Sequence, residues 1–201
     1  MRAERMQQLL RSSVLDALHH LLEERDWSRV TLAEVASRVG ISRQTLYNEF
    51  GSRTGLAQAY ALRLSDGFVD HVEAAIVSHE GDMHAALQHA VRAFFLDAAA
   101  NPLTRSLMTS EPNNELLRLV TVNSQPILVH AAGRLFDVVS NSWLQPPKLE
   151  AELFARMAVR IAMSYIGMPP ESDADVSADF AGLLTPYIQA FVGQNASPTT
   201  P

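Results

Sequence analysis

The sequence predicts an all-α fold of about nine helices, and three observations carry that reading. Ala and Leu dominate the 201 residues, and strand-forming runs are scarce. Apolar residues recur at three- and four-residue steps over most of the length. The gaps between those stretches are filled by helix breakers: Gly40, Gly51-Ser52, Glu80-Gly81-Asp82, Asn101-Pro102 and Pro146-Pro147. With 47% hydrophobic and 19% charged residues, the composition is that of a folded globular protein, long enough for one or two domains.

The first helix is expected from about Arg5 to Glu24, where Leu10, Val14, Leu18, Leu21 and Leu22 share a face and Trp27 and Val30 close one end of the core. Thr31-Leu32-Ala33-Glu34 is a capping box, in which the Thr hydroxyl and the Glu carboxylate each satisfy a backbone N–H of the other. It opens a short helix with Leu32, Val35, Ala36 and Val39 inward, stopped at Gly40, where a positive φ is easiest for glycine. Ser42 caps a third helix carrying Leu46 and Phe50, and Ser52 caps a fourth that runs from about Arg53 to Ser78.

Further helices are expected over about 83–100, 103–110, 115–123, 126–144, 147–166 and 176–192. Pro102, Pro112 and Pro126 mark boundaries, and 167–175 is a loop rich in Pro, Ser and Asp. The division expected is a helix-turn-helix head over 1–52, a helical ligand-binding and dimerisation domain over 53–193, and a disordered tail over 194–201.

Residues 31–50 have the grammar of a helix-turn-helix: a capped helix, glycine at a tight turn, then a second capped helix. The first turn of the second helix reads Ser42-Arg43-Gln44-Thr45, all able to hydrogen-bond. In this motif that turn enters the major groove, where Arg suits a guanine edge, Gln an adenine edge and the Thr methyl a thymine methyl. The net charge of −6 conceals an asymmetry. Residues 1–63 hold nine Arg against seven acids, and the remaining 138 hold seven basic residues against fifteen acids. The positive charge therefore sits beside the helix-turn-helix, as phosphate contact requires.

Thr31-Leu32-Ala33-Glu34-Val35-Ala36, Val39-Gly40-Ile41-Ser42 and Thr45 through Arg53 resemble the signature of TetR-family regulators, over roughly residues 10–65. The resemblance implies a DNA-binding head, usually of a repressor, and a helical body whose last two long helices form a four-helix dimer interface. It also implies roles for single residues. Thr31 would touch a backbone phosphate. Arg43, Gln44 and Thr45, beside the cap Ser42, would face bases or adjacent phosphates. Tyr47 would set its hydroxyl on a phosphate, and Asn48 would lie at the groove edge. Where the family usually has Lys at the start of the fourth helix, this sequence has Arg53, which keeps the charge and is expected to keep the phosphate contact.

A pocket for a small apolar effector, lipid-like or aromatic, is expected within helices 83–144, lined by Phe94, Phe95, Leu107, Met108, Leu117, Val120, Phe136 and Met163. His130, Asn123, Gln125 and Arg118 are its few polar candidates. The apolar stripes of about 147–166 and 176–192 are too wide for one internal contact and point to a homodimer reading a palindromic operator. The chain has no Cys, phosphate loop or nucleophile motif, so no enzyme activity and no cofactor are expected. No metal site is expected either, since His84 and His89 are five apart and do not share a helix face. With neither a signal peptide nor a run of about twenty apolar residues, the expected location is the cytoplasm, away from membranes.

Overall fold

A computed structural model describes residues 2–109, 114–168 and 175–195, the side chains of 108, 109, 114 and 191–195 excepted. Among the described residues there are ten α-helices, a 3-10 turn over Trp27–Arg29 and no strand. The helices are α1 (Arg2–Glu24), α2 (Leu32–Val39), α3 (Arg43–Phe50), α4 (Arg53–Ser78), α5 (Met83–Ala100), α6 (Pro102–Thr109), α7 (Asn114–Val120), α8 (Gln125–Ser140), α9 (Lys148–Gly167) and α10 (Val176–Asn195). None is long and apolar enough to cross a membrane. Residues 196–201, most of the expected tail, lie outside the described residues, and α10 runs three residues past its expected end.

The chain forms two compact units that divide it differently from a cut at residue 52. One holds residues 1–63 with 100–123, the other 64–99 with 124–201. The reason lies in the first unit's core. Trp27 is fully buried, and its backbone N–H donates to Ser106 Oγ at 3.2 Å. Leu103, Leu116 and Leu119, from α6 and α7, are buried in the same unit as Val14, Leu18 and Leu22 of α1. The N-terminal helices thus recruit a segment some eighty residues away to complete their apolar interior.

Within this unit the turn chemistry sets the helix-turn-helix. Both halves of the capping box are formed: the Glu34 N–H donates to the Thr31 hydroxyl at 3.3 Å, and the Thr31 N–H donates to the Glu34 carboxylate at 2.9 Å. Gly40 adopts φ 76°, and the Ile41 N–H closes the turn on Ala36 O at 3.0 Å. Val35 and Leu46 are buried between α2, α3 and the rest of the head. The junction of α3 with α4 depends on Gly55, where a Cβ would stand 2.0 Å from the carbonyl oxygen of Phe50.

The second unit packs α8 along α9. Its core takes Val69, Val72 and Ile76 from α4, Met83, Leu87 and Ala90 from α5, Leu135 and Val139 from α8, and Ile188 from α10. Ala151, Ala155 and Ala158 of α9 recur on one face, and small side chains let neighbouring helices approach closely. α8 ends at Ser140, four residues short of the expected 144, and Trp143 beyond it donates its indole N–H to Ile76 O at 2.8 Å. A polar clamp ties α4 to α8: Arg134 reaches Asp66 and Asp70 at 2.9 Å each, and His130 Nε2 stands 2.7 Å from Asp66.

Candidate nucleic-acid interface and apolar cavities

α3 buries Leu46 and Phe50 and turns its polar residues outward. Ser42 caps the helix, accepting from the Thr45 N–H at 3.0 Å, and the two hydroxyl oxygens lie 2.8 Å apart. Arg43 is exposed and makes no hydrogen bond or ion pair with another described residue. Gln44 donates to Asn48 Oδ1 at 2.8 Å, a pairing one helical turn apart that holds both amides on the exposed face. Tyr47 is 56% exposed, with its ring on the same outer surface. The face therefore offers donors and acceptors in a row with nothing buried to lose when they engage a partner.

Thr31 and Arg53 both carry internal bonds in this structure. The Thr31 hydroxyl donates to Glu34 Oε2 at 2.8 Å, so its hydrogen is already taken. Arg53 turns inward. Its Nε donates to Val30 O at 3.1 Å, Nη2 to Trp27 O, and Nη1 to Glu115 Oε2 at 2.7 Å. The guanidinium lies 4.2 Å from the centroid of the Trp27 ring.

The arginine excess of the head is likewise largely consumed internally. Arg11 pairs with Glu49, Arg25 and Arg38 with Glu24 and Glu34, Arg53 with Glu115, and Arg63 with Asp16. Among the described residues, Arg2, Arg5, Arg29 and Arg43 have no such partner and face solvent. The bonds leave their mark on the acids. The Thr31 hydroxyl and backbone N–H, with Arg25 beside them, hold the Glu34 carboxyl below its ordinary value. Arg38 and Arg25 do the same for Glu24.

The apolar candidates divide between the two units. Leu107, Leu117 and Val120 belong to the first unit, and Leu117 is 43% exposed. Phe94, Phe95, Phe136 and Met163 belong to the second. The Met108 side chain lies outside the described residues. His130, Asn123, Gln125 and Arg118 are all exposed.

In the second unit, Phe94 and Phe95 line a cavity of about 40 Å³ together with Phe68, Leu135, Ala158, Tyr165 and Phe180. A second cavity of about 30 Å³ lies beside it, lined by Ile76, Met83, Val139, Leu144 and Ile188 among others. Val72, Leu87, Ala90 and Phe154 line both, so the two are separated by a thin apolar wall. Phe136 and Met163 pack against the surrounding core but line neither. Each cavity holds little more than a water or two, and a ligand would have to push side chains aside. Phe154, Tyr165 and Phe180 were not among the expected lining residues, because the apolar pattern of their two helices was read chiefly as a dimer interface, with Met163 the one exception. The spacing of Phe154, Ala158 and Ala162 on α9 is the signal that separates an inward face from Leu149, Leu153 and Met157 on the outward one.

With this geometry in view, the likeness to known proteins is specific. Residues 14–60 match the model of bacterial regulatory proteins of the tetR family, and residues 82–186 match that of the bacterial tetracyclin repressor C-terminal domain. The chain belongs to the TetR family of transcriptional regulators. It is 48% identical over 187 residues to the HTH-type transcriptional regulator AlkX of Mycobacterium tuberculosis, covering 93% of this chain and 89% of that one. The crystal structure of the TetR family repressor AlkX from Dietzia sp. strain DQ12-45-1b, implicated in biodegradation of n-alkanes, superposes with a TM-score of 0.84 at 40% identity, over 90% of this chain and 96% of that one. RolR in complex with resorcinol shares the fold, with a TM-score of 0.58 at 17% identity over 98% of each chain. As a family member, the protein is a DNA-binding transcriptional regulator with a helix-turn-helix head and a helical C-terminal domain.

Proposed function

We propose that the protein is a repressor that binds a palindromic operator as a homodimer and releases it when a small apolar effector, lipid-like or aromatic, enters the second unit. The observation that carries this reading is the pair of cavities around Phe154: their lining is almost wholly hydrocarbon, and opening their shared wall would join them into one elongated space. Such a space favours a chain-like hydrocarbon or its derivative. The similarity to a repressor implicated in n-alkane biodegradation supports the same class.

On the DNA side, Ser42, Arg43, Gln44, Thr45, Tyr47 and Asn48 form the reading face, with Thr31 and Arg53 as flanking phosphate ligands once they exchange their internal partners. Arg43 is the strongest candidate for base contact because no other described residue claims its guanidinium. On the dimer side, α9 and α10 expose Leu149, Leu153, Met157, Leu183 and Tyr187, an apolar stripe that a second copy would cover. Effector binding then shifts the dimer between conformations by its differential affinity for them.

The test is a fluorescence-anisotropy titration, at fixed salt, of the purified protein against DNA immediately upstream of its own gene. It is repeated with n-alkanes, fatty acids and aromatic compounds. Saturable binding to a palindrome, reversed by one of these classes, is the expected result. A dimer that binds no specific DNA, or binds it indifferently to every compound, sinks the proposal.

A further inference from the structure

We propose that Glu115 competes with the DNA backbone for Arg53, so that the Arg53–Glu115 ion pair and phosphate contact by Arg53 oppose one another. The inference rests on the DNA-binding reading of the head and adds a control to it. Arg53 is the cation at the start of α4, and four features fix its guanidinium. Two are the carbonyls of Val30 and Trp27, and the third is the face of the Trp27 ring at 4.2 Å. All three are neutral and belong to the head itself. The fourth is Glu115, the only anion on the group among the described residues, at 2.7 Å from Nη1. Arg53 can therefore change its anionic partner while the neutral contacts keep it in place. A third of its side chain is open to solvent for the approach.

The carboxylate is heavily used. Its Oε2 accepts from Arg53 and from the Trp27 indole N–H at 3.0 Å, and its Oε1 accepts from the Thr54 hydroxyl at 2.6 Å. Glu115 stands in the first turn of α7, so these bonds hold that helix against the start of α4 and the 27–29 turn. A phosphate arriving at Arg53 meets this second negative charge at close range. The two anions on one half-buried guanidinium repel each other, so each is held more weakly in the presence of the other. Operator contact through Arg53 and the Arg53–Glu115 ion pair are thus antagonistic, and by linkage each weakens the other equally. Glu115 acts as a positioning residue, through Arg53 and without touching DNA.

The decisive variant is Glu115→Gln in the full-length protein, which keeps a carbonyl acceptor for Trp27 or Thr54 and removes the charge. Affinity is measured on the DNA upstream of the gene and on an unrelated duplex of equal length, across a series of KCl concentrations. The expected result is binding tighter on the order of tenfold to both duplexes, because a phosphate contact carries no sequence information. The gain should disappear when Arg53→Met is added, since Met keeps an apolar stem over Trp27 but offers no charge. Unchanged or weaker binding by a folded Glu115→Gln variant overturns the proposal, as does a gain that survives Arg53→Met. Wild-type protein that binds neither duplex overturns the DNA-binding reading and this one with it.

A second measurement needs no Glu115 variant. The chain has two Trp residues, and only the Trp27 indole donates to Glu115, while Trp143 donates to Ile76 O. On adding DNA to wild-type protein, the Trp27 indole N–H resonance should move and that of Trp143 should stay. A stationary Trp27 resonance on saturation with DNA overturns the exchange.

Discussion

Arg11 Nη1 donates to Glu49 Oε1 at 2.8 Å, joining the middle of α1 to the last turn of the outward-facing helix α3. The Glu49 side chain is only 11% exposed, Gln7 donates to its other oxygen at 2.9 Å, and the Arg11 guanidinium lies 4.9 Å from the Phe50 ring centroid. This tether sets how α3 stands on the head. Arg11→Ala leaves a mostly buried carboxylate with one neutral donor. The expected cost is about 1–2 kcal/mol, seen as a fall of a few degrees in thermal midpoint, accompanied by weaker DNA binding. An unchanged midpoint would show that Gln7 alone suffices.

The capping box makes the head sensitive to acid. The Glu34 carboxyl is held below its ordinary value of 4.5 chiefly by the Thr31 hydroxyl and N–H, with Arg25 adding to the effect. A group depressed on folding stabilises the folded state fully above its unfolded value and loses that contribution as pH falls through the folded one. The thermal midpoint of the wild type should therefore decline below about pH 4.5. Glu34→Gln keeps an acceptor at N3 but cannot titrate, so its midpoint should be lower at neutral pH and flatter on the acid side. Parallel pH profiles for the two proteins would rule out Glu34 as a contributor to the acid limb.

Tyr47 and Arg43 stand out on α3 because their side chains make no bond with another described residue. Tyr47→Phe deletes one hydroxyl from an exposed ring, and Arg43→Ala deletes an exposed guanidinium. Both should leave the thermal midpoint within about one degree of wild type, as surface substitutions do. Both should weaken DNA binding: Tyr47→Phe about equally on all duplexes, Arg43→Ala by about 1–3 kcal/mol and with loss of sequence preference. Unaltered titrations for both would remove α3 as the reading face.

The helix-turn-helix was legible because local chemistry writes it. Thr31, Glu34, Gly40 and Ser42 each satisfy a backbone group within a few residues, and a sequence displays such spacings directly. The partner of Arg53 was not legible, because Glu115 lies sixty-two positions away and no periodicity links them. The same holds for the burial of Trp27 by α6 and α7, which moved the unit boundary. Helix faces were read only in part. α9 carries two apolar faces, and Leu149, Leu153 and Met157 drew attention to the outer one while Phe154 and Ala158 built the cavities.

Ala90 lies in the wall common to both cavities and is 5% exposed. Ala90→Leu adds three carbons where about 30–40 Å³ of space exists on either side. Overpacking should cost about 1–3 kcal/mol of stability, and the added side chain should keep the two spaces from joining. The expected phenotype is a protein that still binds its DNA but no longer responds to the apolar effector. It is checked by repeating the anisotropy titration with saturating effector. Normal release by the variant would place the effector elsewhere in the molecule.

Leu183 is 74% exposed on α10, and Leu149 is 68% exposed on α9. Neither contributes to the core of the second unit. In a two-fold symmetric interface every residue occurs twice, so Leu183→Glu would place two unpaired carboxylates in the buried surface, at several kcal/mol each. The isolated fold loses almost nothing by the same change, because the side chain already meets water. Light scattering after size exclusion should therefore find a dimer for the parent protein and a monomer of wild-type helix content for the variant. DNA affinity should fall by orders of magnitude, since two heads no longer bind as one ligand. A variant that remains dimeric would assign the interface to another surface and leave the stripe on α9 and α10 without a role in assembly.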